Sequence, residues 1–447
     1  MATRAGRTDM IAARPAHMWW NFTVLGADIA FFMLGLSISS SYTLLPLFAA
    51  QLGASNVVVA LIPAVRALGL YGPPLLVASL VERRRHALPY ILVMTVLERV
   101  PYLVLAAATL LLARGHNAAL LAIMFVMIFI ALLGGGLTYP AWLDMIARAI
   151  PGAWLGRFFG FWTGAGNLVG IGGAAVAAAL LAGVAWPLNF ALCFALTFAA
   201  MVASFVLLSL GREPPRAQHV IALPDGGAMG AAGGTASAAQ EWIQARRAEL
   251  REQWRLVRAD GGLRRLLLSN GLAGIATMAG ALFAIAALKQ GGLSDAEVGA
   301  ENTVLFVGMT AANILWGTVG DRFGHKAVLV GSALAAAASA LLALGAHGFW
   351  AYALVFALFG VNVAGANLAG LTFIAEFGPA LRRPTYVALA SVAYAPFVIG
   401  APILGGVLAD HWGYAPVFWL SGVAGLLALV AYQFWVPDPR KRARAEA

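Results

Sequence analysis

Four charged side chains lie deep inside stretches of the chain that are otherwise apolar: Asp28, Arg66, Glu98 and Arg99. At a helical rise of about 1.5 Å per residue, all four lie roughly 13–18 Å from one membrane edge, near the middle of a hydrocarbon layer about 30 Å thick. A charge at that depth costs about 2.5–3.5 kcal/mol, so the four are expected to pair with one another. A carboxylate among arginines in a low dielectric can bind and release protons. The pattern therefore indicates a proton-coupling site, and the alternative is a static salt-bridge network.

Glu98 and Arg99 are neighbours in the sequence and point about 100° apart on a helix. We expect that they do not pair with each other and that Asp28 and Arg66 serve as their partners. Pro101 follows at once and leaves the Leu97 carbonyl without its helical donor, which predicts a bend at this point.

The elements that position these charges are transmembrane helices. The chain is 61% hydrophobic and only 11% charged, against about 25% charged for a soluble domain, so the bilayer is its expected solvent. A helix needs about 20 apolar residues to cross the membrane. Twelve segments, numbered here as spans 1 to 12, meet that length: 19–48, 56–80, 88–113, 118–147, 156–183, 186–210, 263–288, 299–319, 326–346, 349–377, 385–409 and 414–436. The sequence predicts an all-α membrane protein.

The connectors alternate in charge. One set is rich in arginine, with ERRRH at 82–86 and RKRAR at 440–444, whereas the alternate set, such as 49–55 and 410–413, is nearly free of it. Since positive loops stay in the cytoplasm, we expect both termini there and the chain in the bacterial inner membrane. The net charge of +10 is then a topology signal and does not indicate nucleic-acid binding.

The spans divide into two halves around one long connector. We expect a cytoplasmic tail at 1–18, a six-helix half at 19–211, a linker at 212–262, a second half at 263–436 and a tail at 437–447. The linker contains an Arg-rich amphipathic helix that fits a membrane surface, or alternatively a solvated charged helix. Cys193 is the only cysteine, which excludes disulfides and cysteine-based metal sites within one chain.

The connector after span 8 reads GTVGDRFGHK (317–326) and has a counterpart in the first half, ASLVERRRHA (78–87). Glu82 matches Asp321 and Arg83 matches Arg322, each between the second and third spans of its half. A six-span repeat of this kind is typical of a two-half transporter.

These residues resemble the loop motif of the major facilitator superfamily: Gly, three residues, Asp-Arg, one residue, Gly, then two basic residues. Glu376 and Arg383 are similar to a second pattern of that family. The resemblance implies two pseudo-symmetric six-helix halves and a transporter, most like bacterial drug or solute–proton antiporters. It also implies that spans 1, 7 and 10 line the cavity, which makes Asp28 the first choice of titrating residue and Glu98 the second.

The loop motif is interpreted as a conformational latch at the cytoplasmic helix ends, where Gly317 allows close helix approach and Arg383 pairs with Asp321. The alternative is a solvated turn that anchors topology. The proposed latch residues are Gly317, Asp321, Arg322, Gly324, Lys326, Glu376 and Arg383 in the second half, and Glu82, Arg83, Asp144 and Arg157 in the first.

The second half carries amides where the first carries charges, and no ionisable residue is expected near the middle of spans 7 to 12. Asn270, Asn362 and Asn367 are candidates for substrate contact, or for helix–helix hydrogen bonds. Aromatic candidates for the cavity are Tyr139, Trp142, Trp162 and Tyr394.

The combined prediction is a monomeric secondary transporter, not an enzyme, that exports a small organic solute by alternating access in exchange for protons. We expect contacts with protons, solute and membrane lipids, and no cofactor, metal or nucleic acid. The alternatives are a proton symporter or uniporter for nutrients, a lipid flippase, and a membrane assembly factor without transport.

Overall fold

The computed structural model describes residues 17–71, 86–214, 255, 258, 260–377 and 383–438. Within these ranges all regular structure is helical. The twelve predicted segments are confirmed as helices in two sets of six. Eleven helices are long and apolar enough to cross a membrane, and the described part of span 2 contains a shorter apolar helix, Asn56–Gly69.

The helices of the first half follow the predicted order. Span 1 consists of two helices, and span 3 is divided at Thr95. Their bounds are Met18–Ile38 and Leu44–Gln51 (span 1), Asn56–Tyr71 (span 2), Leu88–Met94 and Val96–Leu112 (span 3), Asn117–Ala149 (span 4), Gly152–Gly183 (span 5) and Leu188–Ser209 (span 6).

The second half repeats the arrangement, with span 7 interrupted by a short 3-10 turn and span 12 ending in a π turn. Their bounds are Gly261–Ala276, Thr277–Ala279 and Leu282–Lys289 (span 7), Asp295–Phe323 (span 8), His325–Ala343 (span 9), Gly348–Phe377 (span 10), Arg383–Trp412 (span 11), and Tyr414–Val430 with Ala431–Trp435 (span 12).

The interruption of span 3 lies one turn earlier than Pro101 alone predicts. The Glu98 N–H donates to the Thr95 carbonyl over 3.1 Å, an i to i−3 bond that tightens the chain here. Because the proline ring crowds the carbonyl four residues before it, the distortion moves into the preceding turn. This break positions Thr95, Glu98 and Arg99.

The packing of the two halves is related by a pseudo-symmetry. Span 1 packs on spans 5 and 6, as span 7 packs on spans 11 and 12. Span 4 packs on spans 2 and 3, as span 10 packs on spans 8 and 9. The halves meet where span 2 contacts span 11 and span 5 contacts span 8.

The two ends of the bundle differ. The Arg-poor end, with the connectors 52–55, 290–294 and 413, holds one hydrophobic core shared by both halves, with Phe48 from the first half and Phe283 from the second. At the opposite, Arg-rich end, each half has its own core, around Phe158 in the first half and Phe373 in the second. The halves are therefore closed against each other at the Arg-poor end.

The contact between the halves at the Arg-poor end is here called the seam. The backbone N–H groups of Asn56 and Val57 donate to the two carboxylate oxygens of Asp410 over 2.9 and 3.1 Å. The Tyr414 hydroxyl donates to Asn56 Oδ1 over 2.8 Å. Two further bonds join the halves there, from Asn302 Nδ2 to the Ser37 carbonyl over 2.8 Å, and from the Gln51 amide to the Asp295 carboxylate.

Candidate functional site

Three of the four predicted intramembrane charges form one cluster in the first half. Ser204 of span 6 bridges two of them, because its hydroxyl donates to Asp28 Oδ1 over 2.6 Å and accepts from Arg99 Nη2 over 3.0 Å. Asp28 and Arg99 are each 5% exposed. The cluster thus joins spans 1, 3 and 6 through a buried carboxylate, a hydroxyl and a guanidinium.

Arg99 is the centre of this cluster. Its Nε donates to the Met201 carbonyl over 2.8 Å, and its Nη1 donates to the Thr95 carbonyl over 2.9 Å. The guanidinium also lies 5.5 Å from the centre of the Phe205 ring. The three guanidinium nitrogens of Arg99 are thus all held by partners from spans 3 and 6.

The expectation that Glu98 and Arg99 do not pair is wrong. Arg99 Nη1 lies 3.6 Å from Glu98 Oε2. Thr95 brings them together, because its hydroxyl donates to Glu98 Oε2 over 2.7 Å while its carbonyl accepts from Arg99. A long arginine side chain folded back over one turn overcomes the 100° separation of the two positions.

Arg66 is not part of this cluster, which corrects the fourth predicted member. Its guanidinium lies 5.7 Å from the centre of the Tyr42 ring. Among the described residues, the ion pairs include none for Arg66. A cation over an aromatic face is stabilised by the ring quadrupole, so Arg66 has a partner of another kind.

A cavity of about 200 Å³ adjoins the charged cluster. Asp28, Glu98 and Arg99 lie on one side of it, and the surface that the cavity exposes is almost entirely apolar. Its apolar wall comes from spans 1, 4 and 6, with Phe32, Met33, Tyr139, Trp142 and Leu208.

Two of the predicted aromatic candidates stand side by side in this wall. The Tyr139 and Trp142 rings are stacked 6.0 Å apart. An apolar aromatic wall with a carboxylate edge suits an amphipathic molecule that carries a positive charge.

The glycine run at 134–136 explains how Glu98 fits against span 4. A Cβ added to Gly135 would lie 2.7 Å from Glu98 Oε1, and one added to Gly134 would lie 2.9 Å from the Glu98 backbone nitrogen. Glycine is therefore required for the close approach of spans 3 and 4 beside the cluster.

The second half has a cavity of about 170 Å³ at the equivalent place, between spans 7, 9, 10, 11 and 12. Asn270, Asn362, Asn367 and Tyr394 all line it. Asn362 is held by Ser332, since its Nδ2 donates to the Ser332 carbonyl over 3.0 Å. Asn270 Oδ1 accepts from the Tyr432 hydroxyl over 2.7 Å. One cavity is thus charged and aromatic, and the other is neutral and rich in amides.

Trp162 lines neither cavity. Its ring lies directly against Gly26 of span 1, where a Cβ would overlap it, and its indole Nε1 is buried without a hydrogen-bond partner. The structure places it in the contact between spans 1 and 5.

The residues of the loop motif lie at the end of span 8 and the start of span 9. Asp321 and Arg322 are in the last turn of span 8, and Gly324 follows with a φ of 92°, a conformation that favours glycine. Lys326 Nζ donates to the Gln433 and Val436 carbonyls over 2.9 and 2.8 Å. Lys326 thereby ties the start of span 9 to the end of span 12.

Gly317 differs from the expectation of close helix approach. Among the described residues, no atom lies within 4 Å of a Cβ added at Gly317. At this end each half has its own hydrophobic core among the described residues. The expected pairing of Asp321 with Arg383 stays a prediction, since the side chains of Glu376 and Arg383 lie outside the described residues, as do Glu82 and Arg83 entirely.

The first half has an ionic cluster at the Arg-rich end, in which the predicted Asp144 is joined by Arg148 and Glu213 and which does not include Arg157 among the described contacts. Arg148 Nη2 lies 2.8 Å from Asp144 Oδ2 and 2.6 Å from Glu213 Oε1. Arg157 is instead placed over the Trp154 ring, 4.8 Å from its centre. Asp144 pairs with Arg148 because residues four apart lie one above the other on the same face of a helix.

Glu213 was missed from the sequence because it lies in the GREPPR segment at the start of the linker. Its side chain is only 3% exposed. Its two carboxylate oxygens accept from the backbone N–H groups of Ala87 and Leu88 over 2.7 and 2.8 Å. Glu213 therefore caps the start of span 3 and binds the end of span 4 through Arg148.

We expect Glu213→Gln to lower the free energy of unfolding by about 1.5–3 kcal/mol, the usual contribution of a buried hydrogen bond to a charged group. Asp144→Asn is the matched control. Its carboxylate is 35% exposed, and an exposed ion pair contributes about 0.2–1 kcal/mol. Denaturant titration in mixed micelles measures both, and equal losses in the two variants would contradict the capping role.

Besides Glu213, the sequence analysis did not anticipate one buried carboxylate of the second half, that of Glu301. Glu301 of span 8 is fully buried, and neither of its side-chain oxygens has a hydrogen-bond partner. The expectation placed the start of span 8 at residue 299, whereas the helix begins at Asp295. Glu301 therefore lies in the second turn of span 8, inside the packed bundle and away from the middle of the span.

Comparison with known proteins finds a matching family model and proteins of similar sequence. The model of the Major Facilitator Superfamily matches residues 266–447. A Multidrug resistance protein MdtG from Salmonella choleraesuis (strain SC-B67) is 28% identical over 136 residues, which cover 30% of this chain. The match spans about a third, 33%, of that relative's own length.

Solved structures share the fold over nearly the whole chain. A D-xylose-proton symporter has a TM-score of 0.65 at 15% identity, covering 94% of this chain and 98% of its own. A bacterial homologue of the iron transporter ferroportin, in an inward-facing state, has a TM-score of 0.64 at 14% identity, covering 93% and 99%.

Proposed function

The chain belongs to the major facilitator superfamily of membrane transporters, and from that premise we propose that it exports small amphipathic organic cations in exchange for protons. The observation that carries the proposal is the cavity of the first half. Asp28 and Glu98 lie at the edge of an aromatic wall, within one network around Arg99.

Exchange follows from competition at this edge. An ionised carboxylate attracts a positively charged solute, and a proton on the same carboxylate removes that attraction. A single Arg99 cannot neutralise both carboxylates, so the cluster has room for one further positive charge. Solute and proton therefore occupy the site in turn, which is the requirement for antiport.

The direction of the proposed transport rests on the orientation of the chain and on its relatives. Positive connectors stay in the cytoplasm, which assigns the Arg-rich end and both termini to that side. The halves are closed at the Arg-poor end, so the cavities face the cytoplasm in this conformation. The name of the matched relative, a multidrug resistance protein, favours export.

A second candidate function is the import of a neutral, hydrogen-bonding nutrient. The amides and hydroxyls of Asn270, Asn362, Asn367 and Tyr394 around the cavity of the second half favour it. One of the similar structures is a D-xylose-proton symporter, which shows that the fold accommodates such a function.

Transport into proteoliposomes under an imposed pH gradient tests the proposal. We expect the wild-type protein to accumulate ethidium, a fluorescent hydrophobic cation, when protons move in the opposite direction. Asp28→Asn should abolish the dependence on the gradient, because an amide cannot exchange a proton. Glu297→Gln is the matched control, since that exposed carboxylate bonds only with Ser294 of its own helix start.

Ethidium accumulation by the wild-type protein that does not depend on the pH gradient would contradict proton coupling. Gradient-driven uptake of neutral sugars without ethidium transport would support the import function instead. A variant Asp28→Asn that behaves as wild type would assign the cluster a purely structural role.

A further inference from the structure

Glu301 lies outside both cavities and is not used by the proposed exchange at Asp28. Its side chain has no exposed surface, and both carboxylate oxygens lack any hydrogen-bond partner. Buried polar groups are nearly always satisfied in native proteins. A buried carboxyl group with two unsatisfied oxygens therefore needs an explanation.

Among the described residues, no cation forms an ion pair with Glu301. On its own helix the charged neighbours are Asp295 and Glu297, both acidic. Spans 5, 7, 9 and 10 pack against span 8. Span 7 ends in Lys289, whose side chain is exposed, and span 9 carries its charged residues, His325 and Lys326, at its opposite end. The parts of spans 5 and 10 that flank Glu301, residues 170–183 and 348–360, contain no charged residue and one titratable side chain, Tyr352. Span 1 adds Tyr42, which packs on Phe359 with ring centres 5.2 Å apart.

An ionised carboxylate in such a place is prohibitively costly, and a group in this situation becomes neutral instead. For Glu301, neutrality means a bound proton. A neutral Glu301 with a bound proton is therefore the form expected while the seam is closed.

The position of Glu301 connects that proton to the seam. The next residue, Asn302, donates to the Ser37 carbonyl of span 1 over 2.8 Å, and Asn302 Oδ1 is itself unsatisfied. A Cβ added to Gly299 would lie 3.2 Å from Ala178 Cα of span 5. Span 8 therefore contacts the first half on both sides of Glu301, and separation of the halves here admits water to the carboxyl group.

We propose that Glu301 is a second proton-binding site of the transporter, which takes a proton from the Arg-poor side as the seam closes and returns it to the same side when the seam opens. The inference rests on the proposed proton coupling and adds to it a site on the opposite half from Asp28. The state that binds more protons is favoured by acid, so a low pH favours the closed seam and a high pH favours the open one.

Infrared spectroscopy of the full-length protein in lipid nanodiscs tests the bound proton without any transport assay. The wild-type protein should show the C=O absorption of a buried protonated carboxylic acid, and Glu301→Gln should lose it. Glu297→Gln should retain it, because that side chain is exposed. Spectra of wild type and Glu301→Gln with the same carboxylic acid absorption would overturn the proposal.

Spin labels at Ser55 and His411 test the link to the seam. Both positions are exposed, and each adjoins one partner of the Asn56–Asp410 contact. In the wild-type protein the open fraction should rise with pH, with its equilibrium constant increasing by up to about tenfold per pH unit for one released proton. Glu301→Gln should remain closed across the same range.

An unchanged pH response in Glu301→Gln would overturn the link to the seam. Failure of the proposed exchange at Asp28 gives a different result. In that case Asp28→Asn leaves ethidium transport unaltered, while the wild-type protein still shows the carboxylic acid absorption of Glu301. Glu301→Asp serves as the second variant, because it restores a carboxyl group and should restore the pH response.

Discussion

Replacing Arg99 with glutamine is expected to lower the free energy of unfolding by about 3–5 kcal/mol, the usual cost of removing one partner of a buried ion pair. The substitution leaves Glu98 and Asp28 without their cation and the Met201 carbonyl without its donor. Two hydrogen bonds between spans 3 and 6 and one within span 3 are lost. Denaturant titration in mixed micelles measures the loss, with the apparent melting temperature as a second readout.

The double variant Glu98→Gln/Arg99→Gln separates the ion pair from general packing. It removes both charges of the pair with little change in volume, so its loss should be smaller than the sum of the two single losses by about 0.5–3 kcal/mol. Ser204→Ala removes only the bridge between Asp28 and Arg99. An Arg99→Gln protein within about 0.5 kcal/mol of wild type, the range of a surface substitution, would contradict the central role of Arg99.

The spans and their order followed from the sequence because a membrane imposes simple requirements. Each crossing needs a long apolar helix, and the positions of the arginines divide the connectors into two sets. The repeat of the acid-Arg turn then indicated two equivalent halves. Those properties depend on composition along the chain and need no knowledge of side-chain contacts.

The members of the clusters could not be predicted in the same way. Depth along a helix placed Asp28, Glu98 and Arg99 correctly in one layer, but it also included Arg66, which faces Tyr42. Depth is a function of position in the sequence, whereas the direction of a side chain depends on helix rotation and on the break at Thr95. The one sequence feature that could have identified the partner between Asp28 and Arg99 is Ser204, a small polar residue in the otherwise apolar span 6.

Two acidic residues were missed for a related reason. Glu213 belongs to a segment whose composition is typical of a linker, and only the fold shows that its carboxylate caps span 3. Glu301 lies close to a predicted helix start, where an acidic residue is normally solvated and favourable. The four additional residues at the start of span 8, from Asp295, convert this position from a helix end to a buried turn.

Asp410 caps the start of span 2 from the opposite half, and this leads to the second large expected effect. Asp410→Ala should shift the equilibrium between closed and open seam towards the open state by roughly tenfold or more. The Asp410 carboxylate accepts from the Asn56 and Val57 N–H groups at the start of span 2. Loss of a helix cap costs about 0.5–2 kcal/mol, and the attraction of a carboxylate to a helix start adds about 0.3–1 kcal/mol.

The whole of that loss falls on the closed state, because the cap and the capped helix belong to different halves and separate when the seam opens. Distances between spin labels at Ser55 and His411 measure the shift in lipid nanodiscs. Glu297→Gln is the matched control at the same end, since its capping bonds stay within span 8, and it should leave the distance distribution unchanged. Asp410→Asn keeps one acceptor and should lie between wild type and Asp410→Ala. Identical distributions in wild type and Asp410→Ala would show that the cap is not needed to close the seam, because the shared hydrophobic core around Phe48 and Phe283 and the remaining hydrogen bonds would then hold the halves together.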